Sequence, residues 1–194
     1  MRYFGPALFL TSVLMFQTST GDATPILFEG NLSGANEVPV VASPGTGHVT
    51  VALDTTAQTI KIDATFSGLT SNDVAAHIHC CALLGTNAPV ATTLPAFMGF
   101  PLNVTSGTFD NTFSLTDSTF YNPAFVTSHG GTIAGAEAAL ETGILDEMTY
   151  FNIHTVNFGG GEIRSQLFPA PEPASLLLLG SALFGFGIMR RRRS

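Results

Sequence analysis

Apolar and polar residues alternate with a period of two along much of the middle of this chain. In residues 47–54, Val49, Val51 and Leu53 fall on one side and His48, Thr50 and Asp54 on the other, the pattern of a strand with one wet face. A second alternating run sets Ile60, Ile62, Ala64 and Phe66 against Lys61, Asp63 and Thr65. Residues 55–59 are read as the hairpin loop between the two. After a turn at 68–73, residues 74–81 read as a strand with His77 and His79 on one face and Ala76 and Ile78 on the other. Residues 83–98 are loop-like, and short strands are expected at 102–105 and 112–115. One helix is predicted over 131–143 from the spacing of Ile133, Ala136, Leu140 and Ile144, with Gly143 as its C-terminal cap. Strands at 148–157 and 162–168 close the pattern. In the first of these Phe151, Ile153 and Thr155 oppose Tyr150, Asn152 and His154; in the second Ile163, Ser165 and Leu167 oppose Glu162, Arg164 and Gln166. The expected fold is all-β, a sandwich or barrel with one short inserted helix.

Both ends break this pattern. Arg2, an apolar run at 7–16 and small residues at Gly21 and Ala23 follow the order of a secretory signal peptide, which predicts removal of residues 1–23. Near the other end, 176–189 carries no charge and would make a helix about 21 Å long against a hydrocarbon core of about 30 Å. With Ala174 and Ser175 added, and with Arg190, Arg191, Arg192 and Arg193 reaching for headgroups, it is expected to halt in a bilayer as a transmembrane helix. The arginines then stay cytoplasmic and the middle is exported. The mean hydropathy of +0.33 and the 11% of charged residues therefore reflect the ends and not the body.

Trimming both ends also changes the charge. The whole chain has 7 basic and 14 acidic residues. Only Lys61 and Arg164 among the basic ones lie between the two end segments. Such an acidic body is a poor partner for nucleic acid or anionic membrane, which need Lys and Arg clusters.

Pro171, Glu172 and Pro173, followed by a short apolar segment and four arginines, closely resemble the bacterial PEP-CTERM sorting signal. That resemblance implies recognition by an exosortase, a membrane protease-transpeptidase of Gram-negative bacteria, and delivery to the cell surface or extracellular matrix. Signal peptidase and exosortase are then the partners during export. The chain divides accordingly into a signal peptide (1–23), a β domain (24–168) and a sorting tail (169–194). A plain single-pass anchor is the alternative reading of the tail.

Within the body, the candidate chemistry is sparse. Histidines two apart on a strand share a face with Cα atoms about 7 Å apart, which lets both rings bind one metal ion. His77 and His79 are such a pair, and His154 is the candidate third ligand if its strand packs beside theirs; copper or zinc would be the ion. The alternative is that these histidines are half-buried strand residues bonded across the sheet. Glu162 and Arg164 read as a surface ion pair, and His48 and His129 stand alone. For the adjacent Cys80 and Cys81 three readings stay open: a vicinal disulfide, a reduced buried pair, or a metal-ligand or intermolecular pair. A G-x-S-x-G elbow and a phosphate-binding glycine loop are both missing.

The blocks "LSGANEVPVV", "GHVTVALD", "AAHIHC" and "YFNIHTVNFGGGEIRSQL" resemble the CHRD domain, a module named from repeats in chordin. The resemblance implies an immunoglobulin-like β-sandwich or barrel and no established activity. "GLTSNDVAAHIH" is also similar to the copper-binding strand of copper–zinc superoxide dismutases, without the rest of that ligand pattern. The first functional expectation is a non-enzymatic surface or matrix module, with extracellular polysaccharide as a candidate partner. A metal site on His77, His79 and His154, redox-active in its strongest form, is the second.

Overall fold

The computed structural model describes residues 24–171. The predicted signal segment 1–23, Glu172 and Pro173 of the sorting motif, the apolar segment 176–189 and Arg190 to Arg193 lie outside the described residues. Among the described residues no helix is long and apolar enough to cross a membrane.

Eight strands form one antiparallel sheet that curls into a half-barrel. They are β1 (Ile26–Ser33), β2 (Thr46–Asp54), β3 (Thr59–Ser67), β4 (Asp73–Cys80), β5 (Gly107–Ser114), β6 (Thr149–Thr155), β7 (Ile163–Gln166) and β8 (Phe168–Pro169). The sheet order is β4-β6-β7-β1-β2-β3-β5, with β8 paired to β1. A six-residue helix α1 (Pro123–Ser128) and the longer α2 (Ile133–Leu145) are inserted between β5 and β6. The all-β expectation with one sizeable helix therefore holds.

Register turns sequence alternation into a core. Val49 lies opposite Ala64, Val51 opposite Ile62 and Leu53 opposite Ile60, so the apolar sets of β2 and β3 stack on one face. Phe28 of β1 joins Val51, and Phe109 and Phe113 of β5 join Ala64 and Ile60. Phe97, Phe109, Phe113, Phe120 and Phe151 fill the inside of the curl, with Phe97 stacked on Phe151 at 5.9 Å between ring centroids. Transfer of this apolar surface out of water is what holds the sheet closed around its interior.

The stretch after β4 is a loop, as its prolines require, and it covers the open edge of that strand. Ala76 and Cys80 donate their amides to the carbonyls of Pro95 and Pro89, and the Asp73 amide bonds Val104. Those bonds satisfy an edge that would otherwise invite another strand.

Two elements differ from the sequence reading. Residues 102–105 are not a strand, and the segment expected at 112–115 is the end of an eight-residue strand starting at Gly107. The adjacent Asp110 and Asn111 hid its alternation of Phe109 and Phe113. Helix α2 runs past Gly143 and is capped at Asp146, whose amide bonds the carbonyls of Ile144 and Thr142. Gly143 is instead a packing position, since a side chain there would overlap the Cys80 and Cys81 sulfurs.

Candidate metal centre

Strands β4 and β6 are 75 residues apart in sequence at their histidines, yet pair directly. Ala75 lies opposite His154, His77 opposite Asn152 and His79 opposite Tyr150. Because side chains alternate across a strand, His77, His79, Asn152, His154 and Tyr150 share the face turned away from the core. Ala76, Ile78, Phe151 and Ile153 take the core face, where all four are fully buried.

The outward face is nevertheless not solvated. The segment around Asn36 and Glu37 and the loop around Asn87 and Ala88 lie over it, tied down by Arg164. The Arg164 Nε donates to the Asn36 carbonyl at 2.7 Å and its Nη1 to Asn87 Oδ1 at 2.7 Å, while Asn87 Nδ2 donates to the Val38 carbonyl at 2.8 Å. His77, His79 and His154 are left 4%, 7% and 8% exposed.

Hydrogen bonding fixes which ring nitrogen of His79 and of His154 is free. His79 Nδ1 lies 2.9 Å from the Ala88 carbonyl and His154 Nδ1 lies 3.0 Å from the Gly159 carbonyl. A carbonyl only accepts, so each Nδ1 carries the proton and each Nε2 keeps its lone pair. The two Nε2 atoms face one another at 3.4 Å, with no proton between two neutral rings. Both nitrogens of His77 are buried without a hydrogen-bond partner in the protein, and one ligand atom from each of the three rings falls within 4.8 Å of the others.

Burial sets the protonation state. It pushes His77 down to about 3, helped by the neighbouring His154 and His79 and only weakly opposed by the Pro95 backbone, and His79 down to about 4 against the opposing Ala88 bond. His154 is likewise lowered by burial. Three neutral imidazoles result, the form in which histidine binds a metal. The geometry fits as well. Two nitrogens on a tetrahedral ion at about 2.0–2.1 Å lie about 3.3–3.4 Å apart, which is the His79–His154 separation. The carbonyls on Nδ1 are the outer partners that orient metal-binding histidines. Tyr150 stacks on His79 at 4.6 Å, and the Arg164 guanidinium lies 4.5 Å over the Tyr150 ring.

Two more buried residues lie beside the histidines, of which only Asn152 falls in an alternating run of the sequence. Glu37 sits in a loop, 4% exposed, with Oε2 4.0 Å from Arg164 Nε. Burial pushes its carboxyl up to about 7 although the Arg164 charge opposes this. Asn152, 1% exposed, is opposite both His77 and Arg164.

The remaining sequence candidates are placed elsewhere. Glu162 and Arg164 do not form a surface ion pair; both are buried, and each has its own partners. Glu162 accepts hydrogen bonds from Ser43, Thr155 and the amide and hydroxyl of Thr70. Burial alone would raise its carboxyl, but those four bonds hold it below the usual range. Cys80 and Cys81 are bonded to one another as a vicinal disulfide. Both sulfurs lie near the Ala139 carbonyl of α2, with Cys80 buried on the core side of β4, so the cysteines stand apart from the three candidate histidines. His48 pairs with Asn31, and His129 bonds the Phe125 carbonyl at the end of α1. Neither joins the cluster.

Comparison with known proteins agrees with the two resemblances read from the sequence. A family model described as CHRD domain matches residues 28–167, and one described as PEP-CTERM protein-sorting motif matches residues 169–193. No curated protein and no solved structure matches the chain.

Proposed function

The chain belongs to the CHRD domain family and carries an exosortase sorting motif behind that domain, so it is exported and destined for the cell surface; from that premise we propose that its body is a non-enzymatic binding module whose ligand is a transition-metal ion. His79 and His154 hold the ion through Nε2 and His77 through one ring nitrogen, and zinc or copper is the metal that three imidazoles in a tetrahedral arrangement suit.

One observation carries this reading. Two buried imidazoles present unprotonated nitrogens to each other at 3.4 Å, and a third ring beside them has neither nitrogen in a normal hydrogen bond. Histidines that only stitch a sheet together have donors matched to acceptors, because unmatched buried polar atoms are costly. A cation between the three nitrogens removes that cost.

The test is metal analysis of the chain purified from exporting cells without chelator. One equivalent of zinc or copper per chain is expected, with loss of the metal in a His77→Ala, His79→Ala double variant. A metal-free chain that also takes up neither ion in solution would refute the reading.

A further inference from the structure

A cleft of about 400 Å³ opens beside β5, the strand that ends the sheet, and none of the three histidines lines it. Its walls are β5 itself, the loop at 93–98 and the turn at 117–120 that follows the strand. The volume lies in the range of small-ligand sites, about 300–1,000 Å³.

Hydrogen bonds hold the three walls in place. Asn111 Nδ2 donates to the Met98 carbonyl at 3.1 Å, while its Oδ1 accepts from the Thr112 amide at 2.8 Å. The Thr93 amide donates to the Phe120 carbonyl at 2.8 Å. Asp117 Oδ1 accepts from the amide and the hydroxyl of Thr119 at 2.8 and 2.9 Å. A ligand therefore meets a cleft already shaped, and binding costs little ordering of the protein.

The lining decides which chemistry is admitted. Its apolar part includes Met98, 71% exposed, and the half-buried Phe113, whose ring centroid is 5.2 Å from that of Phe120. Hydroxyls of Thr112, Ser114 and Thr119 and the Asp117 carboxylate stand around it. Among the described residues no lysine, arginine or histidine lines the cleft, and Lys61 of the neighbouring strand is already paired with Asp110 at 3.1 Å. Anionic ligands thus find no counter-charge, and a purely apolar ligand would leave the polar rim unmatched. An extended peptide adding to β5 would need the Thr112 amide, which the Asn111 side chain occupies. A ligand with C–H faces, many hydroxyls and no negative charge matches all three restrictions.

We propose that this cleft is a second binding site, for an uncharged saccharide chain. Phe113 and Met98 pack against a sugar face, and Asp117, Thr112 and Ser114 bond its hydroxyls, the carboxylate accepting the strongest of those bonds. The sorting motif takes the chain to the cell surface, where such polymers are met. This site does not depend on the metal reading.

The full-length chain, applied to an array of neutral, amino-sugar, uronic and sulfated oligosaccharides, tests the proposal. Retention on neutral oligosaccharides and none on the uronic or sulfated ones is expected. Thr112→Arg, a change at an exposed position, should fill the cleft and abolish retention. Asp117→Asn should weaken it about tenfold, because a charge-assisted bond becomes a neutral one; asparagine still caps the turn. The His77→Ala, His79→Ala double variant should bind as the wild type does. A wild-type chain that retains no neutral oligosaccharide, or prefers the anionic ones, would overturn the proposal without any variant having to fold. Equal retention by Thr112→Arg and Asp117→Asn, or loss only in the double histidine variant, would overturn it by placing the sugar elsewhere.

Discussion

The β2–β3–β5 wall and the β4–β6–β7 wall belong to one sheet and share one core, but they treat their outward faces differently. On the first wall Asp63, Thr65, Thr108, Asp110 and Thr112 are exposed, and the one ion pair there, between Lys61 and Asp110 at 3.1 Å, sits at the surface. Water satisfies those groups, so they need no particular partner. On the second wall both faces are buried, and the outward one is made of His77, His79, Asn152, His154 and Arg164. Polar side chains shut away from water must find partners inside, and the ones left over mark what the wall is for. The contrast separates a wall whose polar groups water satisfies from a wall that, on the proposed metal reading, also binds.

Four measurements break or sharpen that contrast. The largest effect concerns metal. An ion at a thousandfold excess over its dissociation constant should add about 4 kcal/mol to unfolding. Denaturant unfolding with and without chelator should show this in the wild type and in Thr65→Ala, and show nothing in the His77→Ala, His79→Ala double variant. Ile62→Ala on the first wall comes next. It should cost about 2–4 kcal/mol through the cavity it leaves and keep full metal stoichiometry, because the wall it weakens holds none of the three histidines.

Third is acid sensitivity of the metal-free chain. His77 and His79 are lowered in the folded state, so the stability they confer is full above about 6.5 and is lost as pH falls toward their folded values of about 4 and 3. His154 has the same sign. Glu37 works the other way: raised to about 7, it favours the folded state at low pH and loses that contribution as pH rises through about 7. Between about 6.5 and 4.5 the unfolded chain therefore gains more protons than the folded one. Each net proton removes about 1.4 kcal/mol per pH unit. Melting temperature should fall across this window and fall less in the double histidine variant; a flat profile would contradict neutral buried rings. Smallest is Thr65→Ala itself, expected to stay within about 0.5 kcal/mol of wild type at any pH.

The same contrast explains what could be read in the sequence. Strands β2 and β3 were legible because one face is wet, so polarity alternates as strictly as the side chains do. His77 and His79 were legible as a pair because two residues on a strand necessarily share a face. His154 is a candidate third ligand on type alone, but its arrival beside Ala75 depends on β4–β6 pairing, which no local pattern specifies. Burial of Glu162 and Arg164 was not legible, because a charged pair two apart on a strand looks the same under a loop as in water. Glu37 had no periodic context at all. Its only signal was a place within the "GANEVPVV" block, which covers the histidine face from a distant part of the chain.

Crystals of the zinc-loaded chain, with data collected on both sides of the zinc absorption edge, test the central claim most directly. The account predicts one anomalous peak within about 2.0–2.1 Å of Nε2 of His79 and His154 and of one ring nitrogen of His77. Full zinc content with the peak elsewhere, on the exposed Asp63–Asp110 face for instance, and the three imidazoles bonded only to protein or water, would contradict it.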